Sequence, residues 1–205
     1  MPASPPPTPP DDGALVAAFQ GGDEFAFVTL YDRYKAPVFA FCAKMLLDRA
    51  AAEDALQETF VRVYEHRDRL ARGAAFRSWL FTIARNHCLN VLRKAKWTEP
   101  LPEHAEPPAP NAQTPFDELL RSERVALVTA YLGQLSPEYR EVLVLREYQN
   151  LSYDEIAAVT RSTVSAVKSR LFKARRKLAD HLQPWLGAEA DSAVPAPSAT
   201  PVPMR

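Results

Sequence analysis

The fold is decided by residues 151–178, which read LSYDEIAAVTRSTVSAVKSRLFKARRKL. Ser152 followed three residues later by Glu155 is a capping box, and it predicts a short helix over residues 153–159. After a tight turn, Ser162 is expected to cap a second helix that begins at the next residue. A short helix, a tight turn and a second helix are the elements of a helix-turn-helix, whose second helix lies in the DNA major groove.

The second of these helices separates apolar from basic side chains. Residues 160–177 carry seven basic residues and no acidic one, which suits phosphate neutralisation and the reading of guanine edges. Phe172 lies on the polar face, where a large aromatic is typical of a contact surface. The alternative is a helical hairpin whose basic face is only solvated and whose Phe172 packs against a partner. The stripe expected to pack inward is Val164, Val167, Leu171, Ala174 and Leu178. The face expected to meet DNA is Ser165, Ser169, Phe172, Lys173 and Arg176, flanked by Lys168, Arg175 and Arg170.

Charge and proline divide the rest of the chain. The net charge of zero hides two basic blocks, residues 25–96 at +6 and 119–180 at +4, separated by an acidic stretch of −5. Of the 19 prolines, 17 fall in three stretches, and proline opposes helix formation. We therefore predict a tail at 1–12, a module at 13–96, a linker at 97–118, a second module at 119–183 and a tail at 184–205. A Pro-rich linker of this length is extended enough to hold the two modules well apart.

Both modules are predicted to be all-helical, because their apolar residues recur at helical spacing without the alternation of strands. The fold class is therefore all-α, with two small helical domains. In the first module, Pro37 should kink or break a long second helix. A third helix over about residues 52–66 presents Asp54, Gln57 and Glu58 on the face opposite its apolar side chains.

Composition limits the class of protein. The hydrophobic share of 47% and charged share of 24% are those of a soluble globular chain, and no apolar run approaches the ~20 residues of a membrane span. Residues 1–12 lack the features of a signal peptide, so a cytoplasmic location without membrane insertion is expected. Cys42 and Cys88 lie alone in apolar segments and are expected to be buried thiols. The four histidines are scattered and no glycine-rich phosphate loop is present, so no catalytic residue, cofactor or metal is predicted.

Several strings, in chain order, carry a family resemblance. They are GDEFAFVTLYDRY at 22–34, AEDALQETF at 52–60, FRSWLFTIARN at 76–86, and LSPEYR at 135–140 with LSY at 151–153 and VKSRL at 167–171. Together they cover nearly all of residues 13–183. The first three resemble domain two of the sigma-70 family of bacterial RNA polymerase sigma factors, and the last set resembles domain four. The absence of other sigma regions is typical of the extracytoplasmic-function (ECF) group.

The resemblance implies a subunit that binds core RNA polymerase and directs promoter-specific initiation, with no chemistry of its own. It would recognise minus-ten and minus-thirty-five elements and assist promoter melting. Its partners would be core RNA polymerase, promoter DNA and an anti-sigma factor. Asp54, Gln57 and Glu58 would dock on the clamp helices of the polymerase, since an acidic face suits a basic helix pair.

The DNA contacts implied by the resemblance fall in both modules. The loop at 69–75 and the basic helix after it would hold the melted strand, with Trp79 and Phe81 as candidates to stack on bases. The residues implied at the minus-ten element are Arg77, Trp79, Arg85 and Asn86. Those implied at the minus-thirty-five element are Arg161, Ser165, Lys168, Ser169, Arg170, Phe172, Lys173 and Arg176.

Arg161 departs from the family pattern, which has glycine at this position of the turn. Glycine tolerates positive φ, and arginine in that conformation costs about 1 kcal/mol. Either the turn differs, or Arg161 is kept for a phosphate contact. The residues themselves also leave open a conventional repressor or activator, whose first module senses a ligand or dimerises and which binds duplex DNA tightly without polymerase.

Overall fold

The computed structural model describes residues 10–70, 75–98 and 128–191, and over these ranges it confirms the all-helical prediction. None of the helices described there is long and apolar enough to span a membrane. The helices are α1 (Asp12–Gln20), α2 (Glu24–Leu46), α3 (Arg49–Glu65), α4 (Ala75–Thr98), α5 (described over 128–134), α6 (Pro137–Glu147), α7 (Tyr153–Thr160) and α8 (Val164–Asp191), with a 3₁₀ turn at Arg67–Arg69.

Aspartates start the first three helices. The Asp11 carboxylate accepts a hydrogen bond from the Ala14 amide at 2.7 Å, and Asp23 and Asp48 cap α2 and α3 in the same way. Each cap satisfies one of the amide groups that a helix leaves unpaired at its start. These side-chain caps therefore fix the residues at which α1, α2 and α3 begin.

Of the two outcomes predicted at Pro37, a kink or a break, the break is wrong, because α2 continues as helix through that residue. Proline removes one backbone hydrogen bond, at a cost of about 3 kcal/mol. On either side of Pro37, the side chains of Tyr34, Val38 and Phe41 are buried against the neighbouring helices. Their burial offsets that cost, since each fully buried large apolar side chain contributes about 1.5–3 kcal/mol.

The core of the first module is rich in aromatic pairs. Phe41 meets Phe81 edge-on, with ring centroids 5.6 Å apart, and Phe19 lies 5.0 Å from Phe27. Such arrangements add about 0.5–1.5 kcal/mol to area burial. Cys42 and Cys88 are both fully buried free thiols, as the sequence predicts.

The second module confirms the capping box and corrects the second cap. The Glu155 amide donates to Ser152 Oγ at 3.2 Å, and the Ser152 amide donates to the Glu155 carboxylate at 2.7 Å. Ser162 does not cap α8. Thr163 Oγ1 instead accepts from the Ala166 amide at 3.1 Å, while Ser162 Oγ lies 2.7 Å from Thr160 Oγ1.

The C-terminal end of α8 differs from the sequence-based expectation, and the two modules are in contact. Helix α8 continues to Asp191, beyond residue 183, where the second module was expected to end. The contact places α2 against α6 and α4 against α7. Linker length limits how far two modules can separate, but it does not prevent their contact. Most of the linker, residues 99–118, lies outside the described ranges.

Candidate nucleic-acid and polymerase interfaces

The two faces of α8 lie as its sequence predicts. Val167, Leu171 and Ala174 are buried, and Val164 and Leu178 are partly buried against the same core. Phe172 is 67% exposed, far more than a core aromatic. The other exposed residues of the predicted DNA face are Ser165, Lys168, Ser169, Lys173 and Arg176.

The flanks of this face are held by contacts within the second module. The Tyr153 ring is close to two cations, with Lys168 Nζ at 5.7 Å and the Arg146 guanidinium at 5.0 Å from its centroid. Arg170 is partly buried, 3.8 Å from the Glu138 carboxylate. Arg170 is therefore less available than the exposed residues at the centre of the face.

Arg161 keeps the turn conformation that the family usually gives to glycine. Its φ is 51° and its ψ is 47°, in the left-handed region, and its amide lies 3.3 Å from the Ala158 carbonyl oxygen. The turn is therefore preserved at an energetic cost, and the exposed guanidinium is at the entrance to α8.

We expect Arg161→Gly and Arg161→Ala to separate conformation from charge. Glycine relieves the positive φ but gains freedom in the unfolded chain, so Arg161→Gly should change the free energy of unfolding by no more than about 1 kcal/mol in the stabilising direction. Arg161→Ala keeps the strained backbone and should be the less stable of the two. Both remove the same charge and should weaken duplex DNA binding equally if Arg161 contacts phosphate. Urea unfolding and DNA titration of both variants check this, and duplex binding as tight as that of the parent would contradict the phosphate contact.

Two of the three side chains on the acidic face of α3 are exposed. Asp54 and Gln57 are exposed, whereas Glu58 is partly buried and accepts a hydrogen bond from Arg62 Nε at 2.7 Å. An exposed ion pair of this kind contributes little to stability, so Glu58 remains available to a partner.

Sequence reasoning missed an exposed apolar group that lies on the same two helices. Phe25 on α2 is 84% exposed, and Val28, Val61 and Tyr64 are each exposed by between two-fifths and about half. Tyr64 reaches α2, where its hydroxyl donates to Glu24 at 3.0 Å. Val61 lies one turn after Gln57, so α3 presents both acidic and apolar side chains outward. The signal available in the sequence was the position of Phe25 off the buried stripe of α2.

The four residues implied at the minus-ten element lie on α4, and two of them contact the second module. Arg77 donates to the backbone carbonyl of Gln149. The Arg85 guanidinium donates to both carboxylate oxygens of Glu141, from Nε at 2.6 Å and from Nη2 at 3.1 Å. The third guanidinium nitrogen, Nη1, lies 3.4 Å from Asn86 Oδ1. Trp79 is partly buried, with its ring 6.4 Å from that of Phe76.

The stacking interpretation of Phe81 is wrong, because its ring is fully buried against Phe41. Residues 71–74 of the loop implied to select a base lie outside the described ranges. Of the two aromatic candidates, Trp79 alone has an exposed part that could reach a base.

Two neighbouring residues of α6 were not predicted, and both lie at the contact between the modules. Glu141 is 1% exposed, and its burial raises the pKa of its carboxyl while Arg85 opposes that shift. Arg140, also buried, donates to the Met45 carbonyl oxygen at 2.6 Å and to the carbonyl oxygens of Gly133 and Leu135 at 3.1 and 3.3 Å. Helix α6 also carries Glu138, Arg146 and Glu147, so nothing in the sequence marked Arg140 and Glu141 as the buried charges.

Comparison with known proteins agrees with this geometry. Residues 30–98 match the family described as sigma-70 region 2, and residues 126–178 match sigma-70 region 4. The chain is 32% identical to the RNA polymerase sigma-H factor of Pseudomonas aeruginosa, over 87% of this chain and 97% of that protein. It is also 32% identical to the ECF RNA polymerase sigma-E factor of Haemophilus influenzae, over 85% and 97% of the two chains. A solved structure of CnrH in complex with the cytosolic domain of CnrY is similar in fold, with a TM-score of 0.65 and 28% identity over 88% of this chain and 99% of that one. The chain belongs to the sigma-70 family of RNA polymerase sigma factors, in its extracytoplasmic-function group.

Proposed function

We propose that this sigma factor binds core RNA polymerase, recognises minus-ten and minus-thirty-five promoter elements and assists promoter melting. The observation that carries the proposal is the outer face of α8, where a 67% exposed phenylalanine lies among basic and hydroxyl side chains. A surface of this kind can neutralise phosphates and contact base edges together.

At the minus-thirty-five element, α8 would enter the major groove as the second helix of the helix-turn-helix. Ser169 and Lys173 can donate to base edges, and Phe172 can contact a thymine methyl. Arg176, one turn after Phe172, and Arg161, at the start of the helix, are placed to contact phosphates instead. These roles follow from exposure and position on the helix, with the buried stripe fixing which face turns outward.

At the minus-ten element, the contacts would come from Arg77, Trp79, Arg85 and Asn86 on α4. The guanidinium groups would bind the backbone of the melted strand, and the exposed part of Trp79 would hold an unstacked base. Arg77 and Arg85 have partners in the second module, so both must exchange those partners for DNA.

Docking on the polymerase would use Asp54, Gln57 and Glu58. Two carboxylates and an amide along one side of α3 complement a basic helix, and such complementarity sets orientation and association rate. The exposed Val61 and Tyr64 would extend this contact with apolar area. We also propose a protein partner that restrains the factor, as an anti-sigma factor does; the CnrH structure, similar in fold, likewise holds a second protein's cytosolic domain.

Run-off transcription tests the proposed function. Purified chain added to core RNA polymerase should yield transcripts from a limited set of start sites on a genomic template library, and core polymerase alone should not. Core polymerase with an unrelated sigma factor serves as the control for polymerase activity. Absence of any promoter-specific transcript with folded protein would contradict the proposal, and tight duplex binding that is unaccompanied by such transcripts would favour a repressor or activator.

A further inference from the structure

Polar groups of α6 and of the turn after it take part in the contact between the modules, beside the apolar residues of a core that both modules share. Arg140 and Glu141, adjacent in sequence, bind different helices of the first module, α2 through the Met45 carbonyl and α4 through Arg85. Lys44 Nζ lies 4.2 Å from the ring centroid of Tyr148, which follows α6. The contact is therefore specific in its partners, unlike a purely apolar collapse.

Two of the four residues assigned to melted DNA, Arg77 and Arg85, are engaged in this contact. Arg85 is bound by a carboxylate and Arg77 by a backbone carbonyl, so both positive groups are engaged by acceptors where phosphate would bind. The side chain of Arg85 is only 15% exposed. The outer face of α8 is not covered in the same arrangement, since Phe172 and Lys173 remain exposed.

A buried ion pair such as Arg85–Glu141 suits a contact between modules that can separate. Separation of the modules returns Arg85 and Glu141 to water, and rehydration of both charges compensates for much of the lost attraction. Removal of Glu141 alone has a different effect, because it leaves Arg85 buried without a counter-charge in the closed arrangement. The closed form then becomes much less favourable, whereas the open form is hardly changed.

We propose that the second module autoinhibits the free protein by masking Arg77 and Arg85 while leaving the α8 face accessible. Duplex contact at the minus-thirty-five element is then available at once, and contact with melted DNA requires the modules to separate. This inference rests on the proposed function for the identity of the DNA elements. The closure itself is a property of the chain that can be measured without promoter or polymerase.

The first test measures the distance between the modules in the full chain. Fluorescent labels on Ala50→Cys in α3 and Ala158→Cys in α7 report it, and the two native cysteines are buried and should not react. The parent should give one short distance. Glu141→Ala should shift the equilibrium toward the open form by about a hundredfold, and the isosteric Glu141→Gln should shift it less in the same direction.

The second test measures binding to DNA without labels. A single-stranded oligothymidine should bind Glu141→Ala at least about tenfold more tightly than the parent, and a random duplex should bind both equally. Glu147→Ala is the matched control, because Glu147 is on the same helix and pairs with Arg175 inside the second module at 2.6 Å. It removes the same charge and should leave distance and oligothymidine binding unchanged.

A disulfide that holds the modules closed tests the proposal in the opposite direction to the Glu141 variants. It also keeps the proposal testable if those variants do not fold. A Cβ built on Gly133 lies 3.3 Å from Leu47 Cδ1, so Leu47→Cys and Gly133→Cys face each other across the contact, and a non-reducing gel shows whether oxidation joins them. The oxidised protein should lose oligothymidine binding, regain it on reduction, and keep duplex binding throughout. Long distances in the parent, parental behaviour of Glu141→Ala, or a tethered protein that still binds oligothymidine would each overturn autoinhibition. A short parental distance without promoter-specific transcripts would support the closure and remove the proposed function.

Discussion

Reversal of charge at Asp54 and Glu58, as Asp54→Lys with Glu58→Lys, should weaken binding to core RNA polymerase by about tenfold to a hundredfold. Both side chains lie outward on α3, and the double variant places two cations where a basic helix is proposed to dock. Loss of the exposed pair between Glu58 and Arg62 should cost the fold no more than about 1 kcal/mol. Titration of fluorescent protein with core polymerase at several salt concentrations measures the effect, which should shrink as salt rises.

The control for this variant changes the same net charge elsewhere. Asp68, with its side chain 85% exposed after α3, and Asp154, exposed on α7, can both be replaced by lysine. Asp68→Lys with Asp154→Lys should bind core polymerase like the parent. Equal weakening by both double variants would show that only overall charge matters, and parental binding by the α3 variant would show that its acidic face is merely solvated.

Alanine at Lys173 or Phe172 should cost about 1–3 kcal/mol of binding to the cognate minus-thirty-five duplex and much less on a scrambled one. Both side chains are exposed near the middle of the α8 face, where base edges are reached in the major groove. Loss of either should therefore remove discrimination as well as affinity. Binding of the full chain to the two duplexes, compared at one salt concentration, measures the difference.

Arg176→Ala is the contrasting variant on the same face. It should weaken binding to both duplexes alike and reduce the slope of log K against log salt by about one, as expected for one lost phosphate contact. Equal losses of affinity for the cognate and scrambled duplexes in Lys173→Ala and Phe172→Ala would mean that this face binds DNA without distinguishing its base sequence.

The parts of the fold that the sequence predicts are those set by neighbouring residues. The capping box at Ser152 and the buried stripe of α8 depend on spacings of three or four residues, so both are visible in the sequence. The cap of α8 fell one residue from its predicted position, because Ser162 and Thr163 are both chemically able to cap and the backbone selects between them.

The contact between the modules was not predictable in the same way. Arg85 and Glu141 are 56 residues apart, and each has the appearance of an ordinary surface charge until the partner is known. A break at Pro37 did not occur for a related reason. Burial of α2 against other helices outweighs the local preference of proline for ending a helix. The acidic face of α3 is where the sequence places it, and the exposed Phe25 beside it could have been suspected from its position off the buried stripe of α2.

The hydrogen bond from Arg140 to the Met45 carbonyl also bears on the order in which the chain folds. It joins residues 95 positions apart, whereas the helix contacts within each module, such as α7 with α8, close short loops. Contacts between residues close in sequence form quickly. Contacts between residues far apart in sequence form more slowly, because a longer loop must close. Each module should therefore acquire its helices independently during synthesis, and the contact between them should form last. A ribosome-bound chain that has emerged only as far as the linker already contains Arg77 and Arg85, still without the acceptors that the second module supplies.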